Sequence, residues 1–201
     1  MDQILYGFDT AVYNFFWQFQ NSVTIGLADI CQHLGDSKAF IICFVISLAL
    51  CFPKKTRRYG TAMLVSFLVC LLLVNVLAKP LVNRPRPYEA LQETPFWETY
   101  EAHWASAGSH LEDDKSFPSG HTSLNFGIFT ALAAVLLKQK KKWAWLLLLI
   151  PVIVGSTRII RCVHYPSDVL GGMIIGIIGG LIGCAVAFSP LLSKSLNPDK
   201  Q

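Results

Sequence analysis

Six cysteines stand in this chain of 201 residues, with no C-x-x-C pair and no spacing that suits zinc. That leaves neither a redox motif nor a structural metal site. Cys43, Cys51, Cys70 and Cys184 fall in apolar runs, where a free thiol acts as a small buried hydrophobe. Cys31 and Cys162 are expected to be less buried and not to pair. The N-terminus lacks a positive n-region and a clean apolar h-region, so no cleavable signal is expected. Internal repeats are absent. The apolar runs lack the alternation of strands and exceed strand length. The basic residues are not spread as a nucleic-acid surface would spread them: Lys54, Lys55, Arg57 and Arg58 form one cluster, and Lys138 with Lys140–Lys142 another.

What the chain has in abundance is apolar sequence. It is 53% hydrophobic with a mean hydropathy of +0.45, at a length that fits one domain. Five segments, approximately 37–53, 59–78, 122–137, 143–157 and 169–192, are candidates to span a bilayer, which takes about 20 helical residues. The second and fifth meet that length; the others are short. The two basic clusters lie between spans and therefore face the cytoplasm, with the tail 193–201 and its Lys194 and Lys200. Segments 79–121 and 158–168 then face outward. Residues 3–20 place Ile4, Leu5, Phe8, Ala11, Val12, Phe15, Phe16 and Phe19 at helical spacing, interrupted by Asp9, Asn14 and Gln18. Such a stripe suits an interface better than a crossing, and Ser22–Leu34 is a second, weaker helix. The alternative is a sixth span with a cytoplasmic N-terminus. The outer loop 88–116 is acidic and aromatic, and Phe96, Trp97, Tyr100 and Trp104 are expected at the headgroups.

Three polar islands end spans on the outward face, where Lys and Arg should be scarce. They are Lys79–Pro87 (KPLVNRPRP), Pro118–His121 (PSGH) and Thr157–Asp168 (TRIIRCVHYPSD). Cations on the wrong side call for an anionic partner, and the guanidinium fork and the ammonium both match phosphate. Ser119 and Gly120 stand at a helix start, where free N–H groups and the helix dipole favour an anion. His164 and Asp168 are four apart with Pro166 at a first helical turn. Asp168 is thus expected to reach one imidazole nitrogen and leave the other to attack phosphorus. His121, on a separate island, is placed to protonate a leaving oxygen.

These islands resemble the signature of type 2 phosphatidic acid phosphatases, the lipid branch of the superfamily shared with vanadium haloperoxidases. Its pattern is K-x6-RP, PSGH and SR-x5-H-x3-D. Here Lys79 precedes Arg86-Pro87 by six residues, PSGH is complete, and Arg158, His164 and Asp168 keep the third spacing; Thr157 replaces the usual Ser. The resemblance implies that Lys79, Arg86, Ser119, Gly120 and Arg158 bind the phosphoryl group. It makes His164 the nucleophile of a phosphohistidine intermediate, Asp168 its orienting partner, and His121 the general acid that then activates water. No metal or other cofactor is implied. Arg84 and Arg161 lie outside the motif; Arg84 is left to a second phosphate or a lipid headgroup.

The expectation is therefore an all-α integral membrane helical bundle in the cell membrane. It has about five transmembrane helices (37–192), an interfacial N-terminal region (1–36) and a cytoplasmic tail (193–201). Its partners are a lipid phosphate substrate and membrane lipids, with no nucleic acid. By the family, the leading substrates are undecaprenyl diphosphate, phosphatidylglycerol phosphate and phosphatidic acid. The rival readings are a lipid-to-lipid phosphotransferase and a non-enzymatic binder of anionic lipid. A third is a metal-dependent hydrolase built on His110, Asp113, Asp114, His121 and His164, for which no metal motif is present.

Overall fold

The computed structural model of the chain describes residues 3–190 and 192, and among them every regular element is helical. The expected tail 193–201 lies outside the described residues. α1 (Gln3–Trp17) and α2 (Ser22–Gln32) precede α3 (Ser37–Leu50) and α4 (Arg57–Leu71). α4 runs on through a π-helical stretch, Leu72–Ala78, into α5 (Lys79–Val82). Two short helices, α6 (Pro87–Ala90) and α7 (Trp97–Ser106), occupy the long loop. Then come α8 (Gly120–Lys138), a 3-10 stretch Lys142–Leu148 that continues as α9 (Leu149–Ile160), and α10 (Pro166–Ala187).

Four stretches are long and apolar enough to cross a membrane alone: Arg57–Ala90, Gly120–Lys138, Lys142–Ile160 and Pro166–Ala187. The first expected span differs. α3 has only 14 residues and reaches spanning length together with α2, across a bend of 54°. Asp36 causes the break: its carboxylate accepts from the Ala39 N–H at 2.8 Å and caps the start of α3, so α2 cannot run through. The chain is a multi-pass, all-α membrane protein.

α10 lies at the centre, packed on α8 and α4. Close approach is carried by glycine. A Cβ at Gly176 would lie 2.5 Å from the Phe126 Cβ and 2.6 Å from the Ser123 carbonyl of α8, and one at Gly183 would strike the Ala62 carbonyl of α4. Small residues at such crossings bring helix backbones together where lipid supplies no hydrophobic drive. One end of the bundle gathers both basic clusters: Tyr59 donates to Gln139 Oε1 at 2.6 Å, and Arg58 and Lys138 both lie over the Phe188 ring. The three polar islands meet at the opposite end.

In the N-terminal region Leu5, Phe8, Phe15 and Phe19 are exposed, whereas Asp9, Tyr13 and Trp17 are buried against the protein. Hydrogen-bonding side chains turn inward and purely hydrocarbon ones outward. Two expectations change here. The aromatics of 88–116, expected at the headgroups, belong largely to the protein. Tyr100 is fully buried, Trp17 stacks on Phe96 at 5.4 Å, and Tyr88 stacks on Trp104 at 5.2 Å, forming a cap over the island end. Cys31 and Cys162 are buried, not partly exposed, because α2 packs against α9 and the aromatic cluster of Tyr13, Trp17 and Tyr100 encloses Cys162; all six thiols are free.

Candidate active site

Asn83, in the left-handed conformation at φ 47°, ends the helix that began at Arg57. The next four residues are Arg84-Pro85-Arg86-Pro87. A residue before proline is held out of the α region, and Arg86 is extended at φ −69°, ψ 156°. A proline-rich extended segment has three residues per turn, so side chains two apart diverge. The two arginines go to different places. Arg86, buried, donates from Nη1 to the Val163 carbonyl at 2.7 Å and from Nε to the Asp114 carbonyl at 2.9 Å. Its Nη1 also lies 3.0 Å from His164 Nε2. Arg84, left by the sequence to a phosphate or headgroup, instead enters the protein between two carboxylates. Its Nη1 donates to Asp168 Oδ1 at 2.7 Å and its Nη2 to Asp9 Oδ2 at 2.8 Å. Two buried acids outcompete solvent for one guanidinium.

His164 and Asp168 meet across the start of α10. Pro166 opens the helix, and Asp168 reaches back to accept from the Tyr165 N–H at 3.0 Å. Its Oδ2 also accepts from Ser116 Oγ at 2.5 Å and lies 3.6 Å from His164 Nδ1. A proton on Nδ1, facing this carboxylate, leaves the lone pair on Nε2. The His164 carbonyl accepts from the Tyr13 hydroxyl at 2.7 Å, so α1 supports the residue from behind. Burial drives the His164 pKa well below the ordinary imidazole value, and the charges of Arg86 and Arg158 push the same way. The ring is neutral at neutral pH.

Ser119 is the N-cap of α8, and its N–H donates to the Asp168 carbonyl at 3.1 Å, which ties the second island to the third. A Cβ on Gly120 would meet nothing within 4 Å, because the space beyond it is the site itself. His121 Nε2 lies 3.0 Å from the Gln32 carbonyl, so that nitrogen carries the proton and donates. Gly35 lies against the His121 ring and has no room for a side chain. Lys79, Arg86, Gly120, His121 and His164 line one cavity of about 250 Å³. Arg158, fully buried beside it, donates to Gln32 Oε1 and to Glu112.

Two carboxylates of the long loop share this cavity. Asp114 pairs with both Lys79 and Arg86, and Glu112 with Arg158. Burial favours the neutral acid in each, but the cations win. Arg158 holds the Glu112 pKa below the usual carboxylate range, and Lys79 and Arg86 hold that of Asp114 down. Both therefore sit on the cations as anions. The sequence marks this loop as acidic without assigning its acids to the islands.

All eight residues singled out in the sequence thus gather at one end of the bundle: five line the cavity, Ser119 and Arg158 lie beside it, and Asp168 stands behind His164. Ser116, Gln32, Gly35 and Asp9 were not anticipated. Asp9 alone carried a signal, as the acid on the aromatic face shared by Tyr13 and Trp17. Among the described residues, no three of His, Cys, Asp and Glu converge as metal ligands would.

A family model, the PAP2 superfamily, matches residues 56–189. An undecaprenyl-diphosphatase of Sulfolobus acidocaldarius is 32% identical over 133 residues, which cover 66% of this chain and 56% of the relative. The chain thus spans little more than half of that protein. Phosphatidylglycerophosphatase B of Bacillus subtilis is 30% identical over 79% of this chain and 70% of its own length. The crystal structure of a transmembrane PAP2-type phosphatidylglycerolphosphate phosphatase from Bacillus subtilis superposes with a TM-score of 0.69 at 25% identity, covering 92% of this chain and 87% of that one. Aquifex aeolicus LpxE shares the fold with a TM-score of 0.63 at 23% identity, over 87% and 93% of the two chains. By the match over two thirds of its length, the chain belongs to the PAP2 superfamily.

Proposed function

We propose that this protein is a membrane-embedded, metal-independent lipid phosphatase or pyrophosphatase that works through a phosphohistidine. One observation carries the reading: two cations, a helix N-terminus and two histidines line a single cavity, with a third cation, Arg158, beside it and a carboxylate behind one histidine. Lys79, Arg86 and Arg158 receive the phosphoryl oxygens, together with the free N–H groups at the start of α8. His164 Nε2 gives its lone pair to phosphorus and the P–O bond to the leaving group breaks. Asp168 stabilises the charge that develops on the imidazole. His121 acts in its imidazolium form: Nε2–H stays on the Gln32 carbonyl, and Nδ1 gives its proton to the departing oxygen. Water then attacks phosphorus, the P–N bond breaks, His121 takes the water's proton, and phosphate leaves. Three positive side chains supply the charge stabilisation that a metal provides in other phosphatases.

A lipid substrate is supported by the membrane setting of the cavity: Phe40, Asn75 and Gly120, which line it, adjoin the apolar side chains of Phe67, Leu71 and Leu124. The relatives act on undecaprenyl diphosphate and phosphatidylglycerophosphate by name, and these, with phosphatidic acid, are the substrates to try first. Purified protein in detergent should release inorganic phosphate from at least one, without an acceptor lipid. Release should survive EDTA and stop with vanadate, which mimics pentacoordinate phosphorus. Activity lost in EDTA and restored by Mg²⁺ or Zn²⁺ would falsify the metal-independent mechanism. Transfer to a second lipid without phosphate release would make the protein a phosphotransferase.

A further inference from the structure

Asp168 is held from three sides, and one of them leads out of the family's own segment. Arg84 occupies Oδ1 at 2.7 Å, while Ser116 Oγ and the Tyr165 N–H occupy Oδ2 at 2.5 and 3.0 Å. These three donors fix the orientation of the carboxylate, with Oδ2 held 3.6 Å from His164 Nδ1. Arg84 is itself fixed. Its guanidinium lies 3.7 Å over the Tyr165 ring, Nη1 also donates to Ser167 Oγ at 2.7 Å, and Nη2 donates to Asp9 at 2.8 Å. Asp9 is spent on the same knot: Oδ1 accepts from the Ser167 N–H at 2.8 Å and Oδ2 from Ser167 Oγ at 2.9 Å. Asp9 is 2% exposed and Asp168 fully buried.

Charge gives the arrangement its purpose. One guanidinium paired with Asp168 alone would neutralise the carboxylate that must stabilise a cationic imidazole. Shared between Asp9 and Asp168, the three groups together keep one net negative charge beside His164. We propose that Asp9 and Arg84 are positioning residues for the Asp168–His164 pair, so that α1, outside the segment matched by the family model, is part of the catalytic apparatus. This rests on the reading of His164 as nucleophile and Asp168 as its partner.

The test is pre-steady-state release of nitrophenol from an aryl phosphate by the full chain in detergent, with active protein counted by vanadate binding. Asp9→Asn keeps shape and removes charge; Arg84→Lys keeps charge and removes the fork. In both, the burst rate should fall on the order of tenfold or more, as it does when carboxylates that orient a functional histidine are lost. Burst amplitude per vanadate-binding molecule and vanadate affinity should stay at the wild-type level. An unchanged rate in both variants, with His164→Ala giving no burst, would sink this inference and leave the proposed mechanism standing. Fewer vanadate-binding molecules at an unchanged burst rate would mean that Asp9 and Arg84 only hold the fold. A parallel loss of vanadate affinity would make Arg84 a phosphate ligand. Either result overturns the inference. A burst that survives in His164→Ala defeats the mechanism, and the inference with it.

Discussion

At the scale of the residue, His164 and His121 differ in what a substrate can do without. In the proposed mechanism His164 forms the bond to phosphorus, so His164→Ala should be inactive with every ester. His121 supplies a proton that an alkoxide needs and a nitrophenolate does not; general acids contribute roughly 10²–10⁴-fold. His121→Ala should lose that much on a lipid phosphate, yet show a burst of nitrophenol followed by slow turnover. A burst from His164→Ala instead would exchange the two roles. Protonation follows from burial. Because the His164 pKa is depressed in the folded chain, the unfolded chain binds more protons below about pH 6.5. The residue's contribution to stability is present above that pH and is lost as pH falls toward the depressed value. The nucleophile itself stays neutral on the way down, so an acid limb in kcat/KM near pH 6 should belong to another group. Glu112 and Asp114 have depressed pKa values as well, so both remain ionised through mild acid and compete with phosphate for Arg158, Lys79 and Arg86. Glu112→Gln should therefore bind vanadate several-fold more tightly, an energy on the order of 1 kcal/mol. Affinity equal to wild type would show that the carboxylate does not contest the site.

At the scale of the element, the site depends on how closely α10 lies against its neighbours. Ser119 and Asp168 are joined backbone to backbone because α8 and α10 touch at Gly172 and Gly176. The partner helix α4 is admitted by Gly179 and Gly183. Gly183→Ala drives a methyl into the Ala62 carbonyl of α4, and overpacking of this kind costs about 1–3 kcal/mol. Its Tm in detergent should fall by several degrees. Gly7→Ala on α1 meets nothing within 4 Å and replaces a poor helix former, so its Tm should hold or rise. Equal Tm values for the two variants would contradict the packing described for α10. The π-helical stretch Leu72–Ala78 belongs to this scale too. It carries Asn75 and leads into Lys79, both of which line the cavity, and π-turns recur at functional sites.

At the scale of the whole molecule, the two ends of the bundle differ in charge arrangement. Basic clusters meet around Phe188 at one end, and the cations proposed to bind phosphate, paired with loop acids, lie at the other. By the positive-inside rule the first end is expected in the cytoplasm and the proposed site outside. In a cysteine-free background, a cysteine at Thr94 should react with an impermeant thiol reagent in intact cells, and one at Gln139 should not. Labelling at Gln139 alone would reverse the topology.

Much of this was legible in order along the chain. The apolar runs located the spans, because bilayer thickness sets helix length. Three short motifs named the side chains that the fold brings together at one end of the bundle, and their types are those that phosphate chemistry calls for at span ends. The Asp168-to-His164 reach was legible because both residues flank one helix start. The rest required the tertiary structure. Spacing reports which residues share a face of one helix, but it does not report what a neighbouring helix brings to that face. Arg84 reads as one more outward cation until Asp9, 75 residues away, is found against it. Asp9 reads as a polar break in an interfacial stripe until α1 is seen to turn the face of Tyr13 and Trp17 inward. Glu112 and Asp114 read as loop acids until the cap folds them onto Arg158 and Lys79. In each case a buried charge took the partner that lay nearest in space, and only the packing of helices determines which that is.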